Sequence, residues 1–129
     1  TAPGQFEEPH TLAMDSSGRL LVGDRGNSRI QIFDQDGNFM DEWNQFGRPS
    51  GMHIDSNDIL YVTDSSSDEN TNPGWKEGIR IGNATDGKVT GFIDDPDLNG
   101  SQEGVIADVD GNIYGSLTRG MALRRYVKN

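Results

Sequence analysis

The feature of this chain that most constrains its fold is an internal repeat. Three segments share a polar prelude, a short apolar run that ends in aspartate, a turn and a second apolar run. Their anchor aspartates are Asp15, Asp55 and Asp108, which lie 40 and 53 residues apart. Periods of roughly 20–50 residues are typical of repeat architectures, in which each unit packs against its neighbours. The repeat therefore predicts a modular fold.

Each repeat reads as a series of short strands. Three residues after each anchor aspartate the sequence has a Gly or Asp, which tolerates the left-handed backbone conformation of a tight hairpin. Alternating runs such as Ile30-Gln31-Ile32 predict strands, and the third repeat ends before a fourth one. We therefore predict an all-β chain that forms one domain over residues 1–129. It would comprise about three four-stranded antiparallel blades of a six-bladed β-propeller, at residues 6–43, 46–93 and 102–128, and the last blade would lack its outer strand.

Three blades do not close a ring by themselves. An open stack leaves sheet faces exposed and an edge strand unpaired at 122–127. The pattern therefore predicts a missing half, supplied either by a longer propeller chain or by a second copy in a homodimer.

Charge and composition exclude several functions. The chain has 21 acidic against 11 basic residues, a net charge of -10, which disfavours nucleic acid and anionic membranes as partners. It has no apolar run near the ~18 residues of a membrane span and no signal peptide, so we expect a soluble chain, cytoplasmic or exported. It contains no cysteine, so any metal must be held by imidazole, carboxylate or carbonyl groups.

One strand offset supplies candidate ligands of a divalent metal. The innermost strand of a propeller blade lines the central channel, so a fixed offset in every repeat forms a ring, and here it holds His10, Ser50 and Glu103. Because imidazole and carboxylate are accepted metal ligands, His10 and Glu103 are predicted to bind one ion on the axis. In the alternative interpretation His10 only forms a hydrogen bond in a hydrated channel and Glu103 follows a loop.

Arg25 is the candidate substrate-binding residue. It follows the end of a second strand, from which its guanidinium group would reach the channel mouth and hold a substrate carboxylate. A local ion pair with Asp24 or Glu8 is an equally simple role. His53 is predicted on the opposite strand face, where it packs, and the anchor aspartates are predicted to stabilise their turns.

Several segments resemble the NHL repeat family of six-bladed propellers. They are Phe46-Gly47-Arg48-Pro49, the Asp36-Gly37 turn and the stretch from Asp24 to Asp34. Within that family, Pro9 to Ala13 followed by Val22 to Gln31 is similar to one blade of the peptidyl-α-hydroxyglycine α-amidating lyases. The resemblance implies a zinc ion bound by His10 and a catalytic role for Arg25 in the substrate cavity. Glu103 stands where those lyases have a third-blade histidine.

The resemblance implies a metal-dependent propeller enzyme that holds a small-molecule or peptide substrate in its channel. Two alternatives remain open, an NHL-repeat scaffold that binds proteins without catalysis and a gluconolactonase-like hydrolase. Metal content of the assembled propeller separates the enzymes from the scaffold.

Overall fold

The computed structural model describes residues 1–95 and 101–129, which form three antiparallel sheets. The first sheet contains β1 (Pro9–Met14), β2 (Leu20–Asp24), β3 (Arg29–Phe33) and β4 (Phe39–Trp43). The second contains β5 (Pro49–Ile54), β6 (Ile59–Asp64), β7 (Gly78–Asn83) and β8 (Val89–Asp94), and the third contains β9 (Gln102–Ala107), β10 (Ile113–Leu117) and β11 (Ala122–Tyr126).

Each sheet is a meander in which consecutive strands pair, as propeller blades require. The all-β prediction is confirmed, and so is the missing outer strand of the third blade, where β11 is the sheet edge. Within residues 1–95 and 101–129 the only helical element is one 3-10 turn at Arg25–Asn27. No helix in these two ranges is long and apolar enough to cross a membrane.

The hairpin turns at the anchor aspartates follow the predicted chemistry. The Asp15 carboxylate accepts hydrogen bonds from the amides of Ser17 and Arg19, at 3.0 and 2.8 Å. Asp55 and Asp108 accept the same pair of amide bonds in their own blades. These side chains therefore stabilise turns, as the sequence predicted.

The hydrophobic core lies between the blades. One cluster joins the first and second blades and contains Leu21, Ile32, Trp43, Phe46, Leu60 and Val62. A second cluster joins the second and third blades and contains Tyr61, Ile79, Ala107 and Ile113. A fully buried aliphatic side chain contributes roughly 1.5–3 kcal/mol. Packing between blades therefore holds β1, β5 and β9 side by side.

The outer faces of the first and third blades remain apolar. Leu12 and Met14 of β1 are 64% and 54% exposed, and Ile106 of β9 and Leu123 of β11 are 55% and 72% exposed. Exposed apolar patches of this kind mark surfaces that another element covers. These exposed apolar side chains lie on the first and last blades of the described array.

Candidate functional site

The three ring positions of the innermost strands are all β-bulge residues. In β1, Pro9 pairs with Asp24 and Thr11 with Gly23, which leaves His10 unpaired. The same break in register leaves Ser50 unpaired in β5 and Glu103 unpaired in β9. A bulge turns one side chain away from the alternation of its strand and is common beside functional sites. The bulge therefore explains how the fold brings these three positions together.

The imidazole of His10 is oriented by the next blade. Its Nδ1 lies 2.7 Å from the carbonyl oxygen of Ser50. A carbonyl oxygen can only accept, so Nδ1 carries the proton and the neutral ring has its lone pair on Nε2. That nitrogen lies 3.8 Å from Oε2 of Glu103. The structure thus places the side chains of the two predicted ligands close enough to contact the same ion.

The Glu103 carboxylate is held at one oxygen and open at the other. Ser65 donates to Oε1 at 3.1 Å, and the Ser65 hydroxyl is itself paired with that of buried Ser50 at 2.5 Å. Oε2 is buried and accepts no hydrogen bond from the described part of the chain. Nε2 of His10 and Oε2 of Glu103 therefore face each other at 3.8 Å, too far apart for a hydrogen bond.

The donor set on this chain is incomplete for a metal. Residues 1–95 and 101–129 contain no group of three or more His, Cys, Asp or Glu side chains placed to hold one ion. Protein sites for catalytic zinc normally supply three ligands. His10 and Glu103 would therefore need a further ligand.

Arg25 lies in the 3-10 turn that follows β2. Its NH2 is 3.5 Å from Oε2 of Glu8, the local pairing that the sequence left open. Its Nε is buried and has no hydrogen-bond acceptor among the described residues. The guanidinium group is thus only partly satisfied within the described structure.

A second arginine, Arg48, was not among the predicted site residues. Its Nε donates to the Ser66 hydroxyl at 2.9 Å, and its NH2 lies 4.0 Å from the same Glu8 oxygen. Glu8, Arg48 and Ser101 each precede the first residue of an innermost strand. The equal offset in all three repeats is the signal that could have revealed Glu8 and Arg48 as neighbours.

A buried carboxylate supports this face of the first blade. Asp24 accepts hydrogen bonds from the Glu7 amide at 2.8 Å, the Asn27 amide group at 2.9 Å and Nε of Arg29 at 2.8 Å. Burial alone would raise the pKa of Asp24, but these hydrogen bonds outweigh it and hold that pKa below its usual range. Asp24 therefore stays charged and fixes the segment that carries Glu8.

The second histidine lies away from the site. His53 is half-buried in β5, and its ring packs against Tyr61 with centroids 6.1 Å apart. This placement agrees with the packing role predicted from its offset.

Comparison with known proteins identifies the repeat. Residues 6–33 match the family model of the NHL repeat. Human NHL repeat-containing protein 3 is 51% identical over 45 residues, which are 34% of this chain and 13% of the human protein. The matched segment therefore spans about an eighth of that relative's length.

Solved structures with similar coordinates are longer than this chain too. A streptogramin B lyase structure is similar with a TM-score of 0.66 and 13% identity, over 92% of this chain and 40% of that one. KlAtg21, in a complex with the coiled-coil of AgAtg16, is similar with a TM-score of 0.59 and 14% identity, over 88% of this chain and 36% of that one. Identities this low show a shared fold alone. This chain thus contains an NHL repeat at residues 6–33 and is built from blades of a β-propeller.

Proposed function

We propose that these blades belong to a metal-dependent propeller enzyme that binds its substrate at the mouth of the central channel. The observation that carries the proposal is the pair of facing electron-pair donors, His10 Nε2 and Glu103 Oε2, 3.8 Å apart. A cation between Nε2 and Oε2 would bind both atoms at once, because each can offer an electron pair.

The residues present fit a divalent ion, and zinc is the one we propose. Coordination bonds to imidazole nitrogen and carboxylate oxygen are each about 2.0–2.2 Å, so two of them span slightly more than the observed gap. The Ser50 carbonyl holds the tautomer that leaves Nε2 free to bind, and Ser65 holds the other oxygen of Glu103. Such outer contacts typically orient metal ligands.

The further ligand would come from blades beyond these three. We propose that the ring has six blades and that a second copy or a further part of a longer chain completes it. Charge favours head-to-tail contact between the end blades, because residues 1–43 carry eight acidic and three basic side chains while residues 102–129 carry three acidic and four basic ones. A homodimer is then one way to supply a second His10 and Glu103.

A zinc ion in this position would act as a Lewis acid towards a substrate oxygen or bound water. Arg25 would hold an anionic group of a small-molecule or peptide substrate, since its side chain is partly exposed and its Nε has no acceptor among the described residues. The resemblance to amidating lyases favours cleavage of a C-terminal α-hydroxyglycine, and a gluconolactonase-like hydrolysis is the alternative reaction.

A second candidate function is a protein-interaction scaffold without catalysis. It is favoured by the incomplete donor set within the described ranges and by a similar propeller that was solved with a bound coiled coil. Propeller faces serve unrelated functions, so the fold alone does not choose between them.

Metal analysis of the assembled propeller separates the two candidates. The enzyme proposal expects one tightly bound transition metal per ring, and loss of binding in His10→Ala and Glu103→Gln well beyond the roughly 10–100-fold typical of outer-shell changes. His53→Ala is the matched control, since its ring packs on Tyr61, and it should keep the metal. Absence of any bound metal, or equal loss in the control, would favour the scaffold.

A further inference from the structure

We propose that Arg25 and Arg48 form a carboxylate-binding site at the channel mouth, and that the Glu8 side chain competes with the ligand for it. This inference rests on the proposed function for the location of the substrate, but the arginine site itself requires no metal.

The two guanidinium groups meet at a single oxygen atom. Oε2 of Glu8 lies 3.5 Å from NH2 of Arg25 and 4.0 Å from NH2 of Arg48. Charge-assisted hydrogen bonds are normally about 2.7–2.9 Å long, so neither contact is a close one. Glu8 thus lies between the arginines without saturating either of them.

The two arginine side chains are more buried than the Glu8 side chain. The side chains of Arg25 and Arg48 are 22% and 12% exposed, whereas that of Glu8 is 57% exposed. Arg48 is further fixed by its hydrogen bond to Ser66. The Glu8 carboxylate can therefore turn into solvent while both guanidinium groups stay in place.

An unpaired nitrogen gives an incoming anion something to bind. Nε of Arg25 is buried and contacts no acceptor among residues 1–95 and 101–129. An unpaired buried donor destabilises the fold, and a carboxylate that pairs with it removes that cost. The planar fork of arginine suits the two oxygens of a carboxylate.

The backbone places Glu8 at this point by contacts with the turn after β2. The Gly26 amide donates to the Glu7 carbonyl at 2.7 Å, and a Cβ on Gly26 would lie 2.5 Å from that oxygen. Glu8 has a φ of 53°, and Ser101, its equivalent in the third blade, has a φ of 52°. The first and third blades thus share this bend, whereas the acidic side chain is peculiar to the first blade.

The surrounding charge favours a singly charged ligand. Glu7, Glu8, Asp24 and Glu103 all belong to this end of the blades, and the chain as a whole carries -10. A dianionic phosphate would meet more repulsion there than a carboxylate does. The expected ligand is therefore the carboxylate of a small acid or of a peptide C-terminus.

Titration with N-acetylglycine in the presence of EDTA tests the site. Nitrogen-correlated NMR spectra monitor the titration through the arginine Nε signals of Arg25 and Arg48. Both signals should shift together. Glu8→Gln should tighten binding roughly 3- to 10-fold, because the change removes a loosely held competing carboxylate and its repulsion of an anion. Glu7→Gln is the matched control, since it removes one charge from the neighbouring residue, and it should bind nearly as the wild type does.

Further arms identify the ligand chemistry. Arg48→Gln should weaken binding and Arg48→Lys should restore part of it, with the melting temperature recorded for each variant. Glycolate binding as tightly as N-acetylglycine indicates that a small acid suffices, and weaker glycolate binding indicates a peptide C-terminus. Equal binding of the neutral N-acetylglycinamide, tighter binding of inorganic phosphate, or no gain in Glu8→Gln would overturn the proposal. Because EDTA is present, none of these results depends on the zinc proposal.

Discussion

Replacing Asp24 with asparagine should destabilise the first blade far more than the similar size of the two side chains suggests. The Asp24 side chain is fully buried, and its Oδ2 lies 2.8 Å from Nε of Arg29, whose side chain is 3% exposed. Arg29 would keep Glu42 at 2.9 Å, but that carboxylate is one-third exposed. Removing one partner of a buried ion pair typically costs about 3–5 kcal/mol, because it leaves the other charge without full compensation.

Urea unfolding followed by circular dichroism measures this loss. Asp24→Asn should lower the midpoint without changing the slope, which indicates altered stability and not altered compactness. Asp34→Asn is the matched control, because Asp34 bonds the turn amides of Asp36 and Asn38 but lies at the surface, and its effect should be much smaller. Equal midpoints for the two variants, or a loss below about 1 kcal/mol for Asp24→Asn, would refute the role of the buried pair.

The same carboxylate predicts a pH dependence. The folded-state pKa of Asp24 is lowered, so the unfolded chain binds the proton more readily and acid favours unfolding. The stability from Asp24 is therefore present above its unfolded pKa of about 4 and is lost as the pH falls through its lower folded value. Asp24→Asn should lose that part of the acid dependence, as unfolding midpoints measured between neutral and acidic pH will show.

Three further outcomes follow from single contacts. Arg80→Met should lower the free energy of unfolding by roughly 3 kcal/mol and change the Trp75 fluorescence, because Arg80 pairs with Asp64 at 3.2 Å and stacks 4.9 Å from the Trp75 ring. An unchanged urea midpoint would contradict this. Gly51→Ala should destabilise the blade interface by about 1–3 kcal/mol or more, because its Cβ would lie 2.2 Å from the Glu103 carbonyl oxygen. Thermal unfolding measures this loss, with Gly91→Ala as the control, since its Cβ would meet no atom closer than 3.8 Å. Burial and the charge of Asp55 raise the pKa of Tyr61 to about 12, so the free energy of unfolding should fall as the pH rises above about 10. Tyr61→Phe should reduce that fall, which an ultraviolet titration and unfolding midpoints at several pH values measure.

The repeat and its turns could be read from the sequence because their signals are local. The run Ile30-Gln31-Ile32 and the Asp-x-x-Gly turn at Asp15 each depend on neighbours within a few residues. The strand and the turn are both present in the structure, although Gln31 is as fully buried as its two neighbours. These features are properties of one short segment at a time.

The geometry of the channel mouth could be predicted only in part. Counting offsets placed His10, Ser50 and Glu103 in one ring, but the bulges that turn them out of their strands depend on pairing with β2, β6 and β10. Arg48 was missed because it stands in a loop, and its partner Glu8 is 40 residues away. Contacts of this kind form between blades, so no periodic pattern within a single segment predicts them.

Anomalous X-ray scattering from crystals of the assembled propeller grown with zinc tests the central claim most directly. We predict one strong peak bound by both the His10 imidazole and the Glu103 carboxylate, and none in crystals of His10→Ala. A map without a peak there, or with zinc bound only by surface carboxylates, would contradict it.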